Sequence, residues 1–273
     1  MPDRLTNMRI AFIGGGVMAQ AIISGVKETG LDASIIVGEP SEVQRETLQN
    51  DLGVEVTPCN RDAADGADIV VLSVKPQQLD TVADELKSTL SADQTVLSIM
   101  AGVKMQSIGL KLNHAKLIRV MPNTPVQIRK GLSAWTASKE VDQATLDFVS
   151  NMLRAVGDAL KFDDEKSIDI ATALSGSGPG YVYVFIESLA EAGVELGLPV
   201  HIARHLASQT VLGSAALQRE SGKHPAELRD MVTSPGGTTS SGLAALENGG
   251  FRATIADAVR AAFERGEELA AGK

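Results

Sequence analysis

The chain has 273 residues, 44% hydrophobic and 22% charged, and its 25 basic against 34 acidic residues leave a net charge of −9. That length and balance fit one large or two smaller globular domains with a full apolar core, and they exclude a disordered, collagen-like or low-complexity chain. An acidic chain has no global field to draw in nucleic acid or anionic membranes, and no apolar run reaches the length of a membrane span.

In chain order, Met8–Ile13 reads as a buried strand, Val17–Glu28 as a helix and Ser34–Val37 as a second strand. Ser41–Leu52 follows as a helix with Ser41 at its N-cap. Asp68–Val74 is nearly unbroken apolar sequence, as expected of a strand in a parallel sheet covered on both faces. Leu79–Leu90 is an amphipathic helix, and Thr95–Ile99 and Lys116–Val120 are two more strands. Leu132–Trp135 and Ala159–Phe162 read as edge strands, with a helix over Asp142–Ala155 between them. Alternating strand and helix implies right-handed βαβ units in a doubly wound sheet. After Phe162 the period-2 signal disappears. Helices are expected over Glu165–Leu174, Gly178–Leu196, Val200–Glu220, Pro225–Val232, Thr238–Glu247 and Phe251–Ala270, broken at Gly- and Pro-rich segments. The expected organisation is therefore α/β, with a domain over residues 1–163 and an all-α domain over 164–273.

The first strand runs into Gly14-Gly15-Gly16-Val17-Met18-Ala19, a G-x-G-x-x-A dinucleotide fingerprint in its required strand–turn–helix setting. Gly14 permits the tight turn, Gly16 removes a Cβ that would block a pyrophosphate, and Ala19 lets the helix approach the sheet. The phosphates would sit on free N–H groups at the helix start. A glycine-rich turn without a ligand is the alternative. Glu39 closes the second strand, about twenty residues on, where an acid binds ribose hydroxyls and repels a 2′-phosphate. It leans the reading to NADH over NADPH, although Ser41 or Arg45 could still reach a phosphate, and Glu39 pointing to solvent is the other reading. Together these features make the first domain Rossmann-type.

Further segments carry a family resemblance: Val74-Lys75-Pro76-Gln77, Ala101-Gly102-Val103, Arg119-Val120-Met121-Pro122-Asn123-Thr124-Pro125, Ala173–Pro179 (ALSGSGP) and Thr233–Thr239 (TSPGGTT). In this order and spacing, over essentially the whole chain, the sequence resembles pyrroline-5-carboxylate reductase. The resemblance implies hydride transfer from NADPH or NADH to the C=N bond of 1-pyrroline-5-carboxylate, giving L-proline in the last step of proline synthesis. It also implies that the helical domain is a dimerisation domain, that the protein is a homodimer, and that dimers assemble into rings. On the cofactor side it assigns Val17 and Met18 to the pyrophosphate turn, Glu39 and Ser41 to the ribose end, and Asn60 to the adenosine. Val74, Lys75 and Pro76 fall beside the nicotinamide ribose, Ala101 in the loop after the strand Thr95–Ile99, and Asn123 on the nicotinamide side. Some relatives carry a small polar residue at the place of Glu39 and asparagine at the place of Met231.

On the substrate side, Ser234, Gly236, Gly237 and Thr238 would cradle the carboxylate at a positive helix end. Thr239 would hydrogen-bond the ring nitrogen as the catalytic residue, although Thr238 and Thr239 could equally cap the helix. Glu165 matches an acid near bound proline, against the plainer reading of a first-turn acid favoured by the helix dipole. A protonated imine is already electrophilic, so positioning rather than a strong general acid would carry the rate. No metal is expected, because the His201/His205 pair lacks the glutamate and third ligand of a zinc site. Cys59, the one cysteine, can close no internal disulfide. With the opening Met1-Pro2-Asp3-Arg4 lacking a signal core, the expected compartment is the cytoplasm. Two other functions stay open: a hydroxyacid dehydrogenase of similar architecture, which would use a catalytic lysine in its helical domain, and a dinucleotide-binding sensor without chemistry.

Overall fold

The structure, a computed structural model, describes residues 7–270, so Met1-Pro2-Asp3-Arg4 lies outside the described residues. Its first part runs β1 (Met8–Ile13), α1 (Val17–Thr29), β2 (Ala33–Gly38), α2 (Glu42–Thr47), β3 (Glu55–Thr57), α3 (Asn60–Ala64) and β4 (Ile69–Leu72). It continues through α4 (Leu79–Leu86), β5 (Thr95–Ser98), α5 (Met105–Leu112), β6 (Leu117–Pro122), β7 (Gly131–Ala137), α6 (Gln143–Arg154) and β8 (Gly157–Lys161). The eight strands form one sheet in the order β3-β2-β1-β4-β5-β6-β7-β8. All neighbouring pairs are parallel except β6 and β7, which run antiparallel with Val120 opposite Trp135.

The period-2 geometry of β1 divides its side chains between the two faces of the sheet. Ile10 and Phe12 join a core with Ile22 and Ile23 of α1 and Phe148 and Val149 of α6. Ala11 and Ile13 join a second core with Val82 and Leu86 of α4 and Ile108 of α5. Both faces of the sheet are thus covered, which is why β4, and β1 beyond Arg9, read as unbroken apolar runs. The order of strands reverses at β1, between β2 and β4, so the carboxyl ends of these strands form the switch-point crevice of a doubly wound sheet.

Five elements depart from the sequence expectation. β3, α3 and α5 were not expected at all. β7, expected at an edge, lies between β6 and β8 inside the sheet. The expected helix over Ser41–Leu52 is α2, capped by Ser41 Oγ, followed by a π-helical turn over Leu48–Leu52 that buries Leu48 and ends at Gly53 with φ 57°.

By compactness the chain divides into Met1–Ser177 with Ala262–Lys273, and Gly178–Ala261. The expected boundary at 163/164 falls between β8 and α7 (Glu165–Ala171). Helix α7 belongs with the sheet unit because Glu165 and Asp169 both pair with Arg119 on β6.

The second unit is helical: α8 (Gly178–Glu195), α9 (Val200–Ser221), α10 (Pro225–Met231), α11 (Thr238–Asn248) and the start of α12 (Phe251–Ala270). Small side chains let α8 and α9 approach closely: Ala190, Ala203 and Ala207 are buried together. A Cβ at Gly193 would stand 3.2 Å from that of Ala203. Long apolar side chains elsewhere on and between these helices remain exposed, among them Leu196 in the turn after α8 at 90% and Leu212 on α9 at 64%. Among the described residues no helix is long and apolar enough to cross a membrane.

Candidate active site

The turn after β1 is built by backbone constraint. Gly14 adopts φ 96°, and a Cβ there would stand 3.0 Å from Val74 Cγ1 and 3.1 Å from the Ser73 carbonyl oxygen. Ser73 Oγ donates to the carbonyls of Ile13 and Gly14 at 3.0 and 2.7 Å, fixing the turn to the end of β4. Gln20 and Gln44 both donate to the Gly15 carbonyl, at 2.9 and 3.1 Å. A Cβ on Gly16, by contrast, would meet nothing within 4 Å, so the space it leaves is open. Gly16 is the N-cap of α1 and offers no side chain to it, so among the described residues the first N–H groups, those of Val17 and Met18, have no side-chain acceptor. Open space in front of free N–H groups at a positive helix end is what a pyrophosphate requires.

A cleft of about 350 Å³ opens at this turn. It is lined by Gly14, Gly16, Glu39, Asn60, Val74 and Lys75 of the expected cofactor residues, and also by Gln78, Thr81 and Glu85. Val17, Met18, Ser41, Pro76, Ala101 and Asn123 are not among its lining residues. Glu39 does not merely point to solvent: Oε2 accepts from Gly15 N–H at 2.9 Å and Oε1 from Ser41 N–H at 3.0 Å. Its charge is therefore fixed beside the glycine turn. Arg45 is committed to the carbonyls of Glu39 and Pro40, both at 2.8 Å. Pro76 opens a 3-10 turn behind Lys75, and Ala101 is exposed in the turn after β5.

Asn123, at the carboxyl end of β6, is tied at both ends of its amide. Oδ1 accepts from Leu132 N–H at 2.8 Å, and Nδ2 donates to Ser175 Oγ at 3.2 Å. Glu165 is not a solvated first-turn acid. Its Oε1 accepts from Met105 N–H at 2.8 Å and from Arg119 Nη1 at 3.2 Å. Arg119 is only 2% exposed, and its Nη2 donates to Asp169 Oδ1 at 2.6 Å. Lys104 Nζ lies 3.7 Å from the other Asp169 oxygen, so two cations face two carboxylates and the cluster is neutral.

In the second unit, Ser234–Gly237 forms a turn closed by Gly237 N–H donating to the Ser234 carbonyl at 3.0 Å. Gly236 adopts φ 71°, and a Cβ at Gly237 would collide with Ser234 Oγ. The N-cap of α11 is Gly237, which supplies no side-chain cap. Among the described residues neither Thr238 nor Thr239 caps the helix: Thr238 is exposed and Thr239 half-buried, both in the first turn of α11, where N–H groups have no intrahelical partner. This is a ready anion site with two hydroxyl donors.

A family model described as pyrroline-5-carboxylate reductase dimerisation matches residues 165–269. A second, described as NADP oxidoreductase coenzyme F420-dependent, matches residues 9–102. A pyrroline-5-carboxylate reductase of Synechocystis is 44% identical over 265 residues, spanning 96% of this chain and 98% of its own length. The chain belongs to the pyrroline-5-carboxylate reductase family. Among solved structures, the family member from Coxiella burnetii superposes with a TM-score of 0.91 at 39% identity, covering 97% of this chain and 99% of its own. That from Plasmodium falciparum, solved with NADP bound, gives 0.85 at 30% identity, covering 97% and 99%.

Sequence reasoning missed Arg119, Asp169 and Glu85. For Arg119 a signal existed: a charged residue inside the otherwise apolar run Leu117–Met121, and two acids spaced i, i+4 on one face of α7. Glu85 carries no such mark.

Proposed function

We propose that this chain reduces the C=N bond of 1-pyrroline-5-carboxylate to L-proline with NADH or NADPH. The observation that carries the reading is family membership over nearly the full length, combined with a glycine-turn cleft built for a dinucleotide. When bound, the reduced nicotinamide would supply hydride from C4 to the imine carbon, with the ring nitrogen keeping its proton. The pyrophosphate takes the N–H groups of Val17 and Met18 beyond Gly14 and Gly16; Glu39 and Ser41 take the ribose, and Asn60 the adenosine. Val74, Lys75, Pro76, Ala101 and Asn123 shape the nicotinamide end. The substrate carboxylate sits in the cradle of Ser234, Gly236, Gly237 and Thr238, taking the hydroxyls of Ser234 and Thr238 and the N–H groups that the turn leaves free, and Thr239 holds the ring nitrogen as the catalytic residue. Glu165, held by Arg119 and Met105 N–H, stands near the bound substrate.

Orientation supplies most of the rate in this scheme, since well-placed reactants gain about 7–11 kcal/mol without a strong general acid. The reading also takes the protein as a cytoplasmic homodimer whose dimers form rings. The exposed apolar side chains of α8 and α9, and the hollow of about 850 Å³ lined by Tyr183, Ile186, Ala190, Val194 and Val200, suit burial against a second copy. The test is consumption of reduced nicotinamide with stoichiometric proline formation. Turnover of 2-oxo acids but not the cyclic imine would make the protein a hydroxyacid dehydrogenase, and cofactor binding without either turnover would make it a sensor.

A further inference from the structure

The end of the cleft beyond Glu39 carries a pair of side chains that the fingerprint leaves unexplained. Asn60 opens α3, Glu85 lies in the last turn of α4, and both line the cleft. Asn60 Nδ2 donates to Glu85 Oε2 at 2.7 Å. An ionised carboxylate only accepts, so this bond dictates which way the amide faces. Oδ1 is turned away into the protein, where it is fully buried with no hydrogen-bond partner among the described residues. It stands 2.7 Å from the point where a Cβ on Gly38 would be, so a side chain at 38 is excluded as well. The Asn60 side chain can therefore offer a ligand only its second Nδ2–H. Glu85 can offer only an acceptor, and its Oε1 accepts no hydrogen bond among the described residues. Arg61 Nε donates to the Glu85 carbonyl at 2.9 Å, which ties α3 to α4 and holds donor and acceptor side by side.

A donor beside an acceptor complements the edge of adenine, whose exocyclic amino group donates while the adjacent ring nitrogen accepts. In the same pose hypoxanthine or guanine would turn a carbonyl oxygen toward the Glu85 carboxylate. The pair is also at the right place: Asn60 packs on Gly38, the residue before the acid that marks the ribose end. We propose that Asn60 and Glu85 read the adenine base, Asn60 donating to a ring nitrogen and Glu85 accepting from the amino group, so that Glu85 is a specificity-determining residue of the cofactor site. The inference rests on the proposed dinucleotide cofactor and adds the base that the site selects.

The probe is reduced nicotinamide hypoxanthine dinucleotide, the deaminated analogue of NADH, compared with NADH on the full chain. Two readouts are used: kcat/KM with 1-pyrroline-5-carboxylate, and binding followed by nicotinamide fluorescence without substrate. The expected result is a preference for NADH of roughly five- to 150-fold, the discrimination of one good bidentate base contact. Glu85→Gln keeps the shape but presents an amide that can turn either face, so the preference should fall to within about threefold of unity. Glu85→Ala should do the same, and if it fails to fold the glutamine variant decides. Equal use of both dinucleotides by the parent overturns the proposal. So does a folded Glu85→Gln protein that retains the parent ratio, because a strut between α3 and α4 would weaken both cofactors alike. A parent that binds NADH selectively over the analogue but turns over no imine supports the adenine reading while removing the reductase reading. A parent that binds neither dinucleotide removes both.

Discussion

Replacing Arg119 with methionine tests whether the ion cluster on β6 fastens α7 to the sheet. The guanidinium is 2% exposed and bonds Glu165 at 3.2 Å and Asp169 at 2.6 Å. Methionine fits an apolar strand environment, so the perturbation is electrical: two carboxylates stay behind without their cation. Removing one partner of a buried ion pair costs about 3–5 kcal/mol. The lower end applies, because the carboxylate side chains keep 22% and 15% exposure and Lys104 still faces Asp169. In a chain of this size each kcal/mol moves Tm by about 2–4 °C, so a loss of about 6–12 °C is expected in a thermal melt followed by circular dichroism. A triple variant, Arg119→Met with Glu165→Gln and Asp169→Asn, removes the abandoned charges and should recover roughly half of that loss. A single variant within about 2 °C of the parent, or a triple variant that melts lower than the single one, would refute the reasoning.

Three further outcomes follow from the site and the helix caps. Glu39→Ser should raise the NADPH-to-NADH ratio of kcat/KM at least about tenfold, since a carboxylate held by Gly15 and Ser41 N–H groups would face a 2′-phosphate; an unchanged ratio contradicts that role. Thr239→Ala should lower kcat/KM for the imine by roughly 10- to 100-fold, the loss of a hydrogen bond to a charged group, with cofactor affinity nearly unaltered. A rate within about twofold of the parent would remove Thr239 from the chemistry. Asp142 caps α6 and accepts from Thr145 N–H at 2.9 Å, a bond that holds its carboxyl below the usual carboxylate range. The stability it adds is complete above the unfolded value of about 4 and is lost as pH falls through the lowered folded value. Asp142→Asn keeps a cap without the titration, so Tm should fall less steeply with acidification than in the parent; parallel profiles would contradict the assignment.

The elements legible in the sequence are those whose pattern is continuous. β1 and β4 announce themselves as strongly apolar runs, broken only by Arg9 in β1, and α9 and α12 as long helical periods between glycine breaks, so the limits of β1, α9 and α12 fall at or within a residue of the expected ones, while β4 stops two residues short of Val74. β3 was illegible because three residues, Glu55-Val56-Thr57, carry no period; it forms because β2 offers a free edge, with Val37 opposite Val56. Helix α5 was hidden by Gly109, a poor helix former that is nevertheless required there, since a Cβ would stand 3.0 Å from the His114 carbonyl oxygen. The inner position of β7 depends on long-range pairing with β6, which local periodicity does not encode.

The site divides along a similar line. Gly14 and Gly236 are legible because backbone geometry at φ 96° and 71° tolerates little else, and a residue forced by geometry leaves a mark at its own position. Carboxylates leave none: Glu39, Glu85 and Glu165 are written in the same letter as the exposed acids of α12. What separates them is a donor supplied by another part of the chain, Gly15 N–H for Glu39, Asn60 for Glu85, and Met105 N–H with Arg119 for Glu165. Arg119 and its partners are 46 and 50 residues apart, so the pairing exists only after the sheet has formed. Each of these donors fixes one oxygen and so decides where the other is presented. A glutamate at the cleft therefore takes its role from the group that orients it, and for that reason Glu85→Gln, which retains the atom count and changes only donor and acceptor, probes function more sharply than truncation.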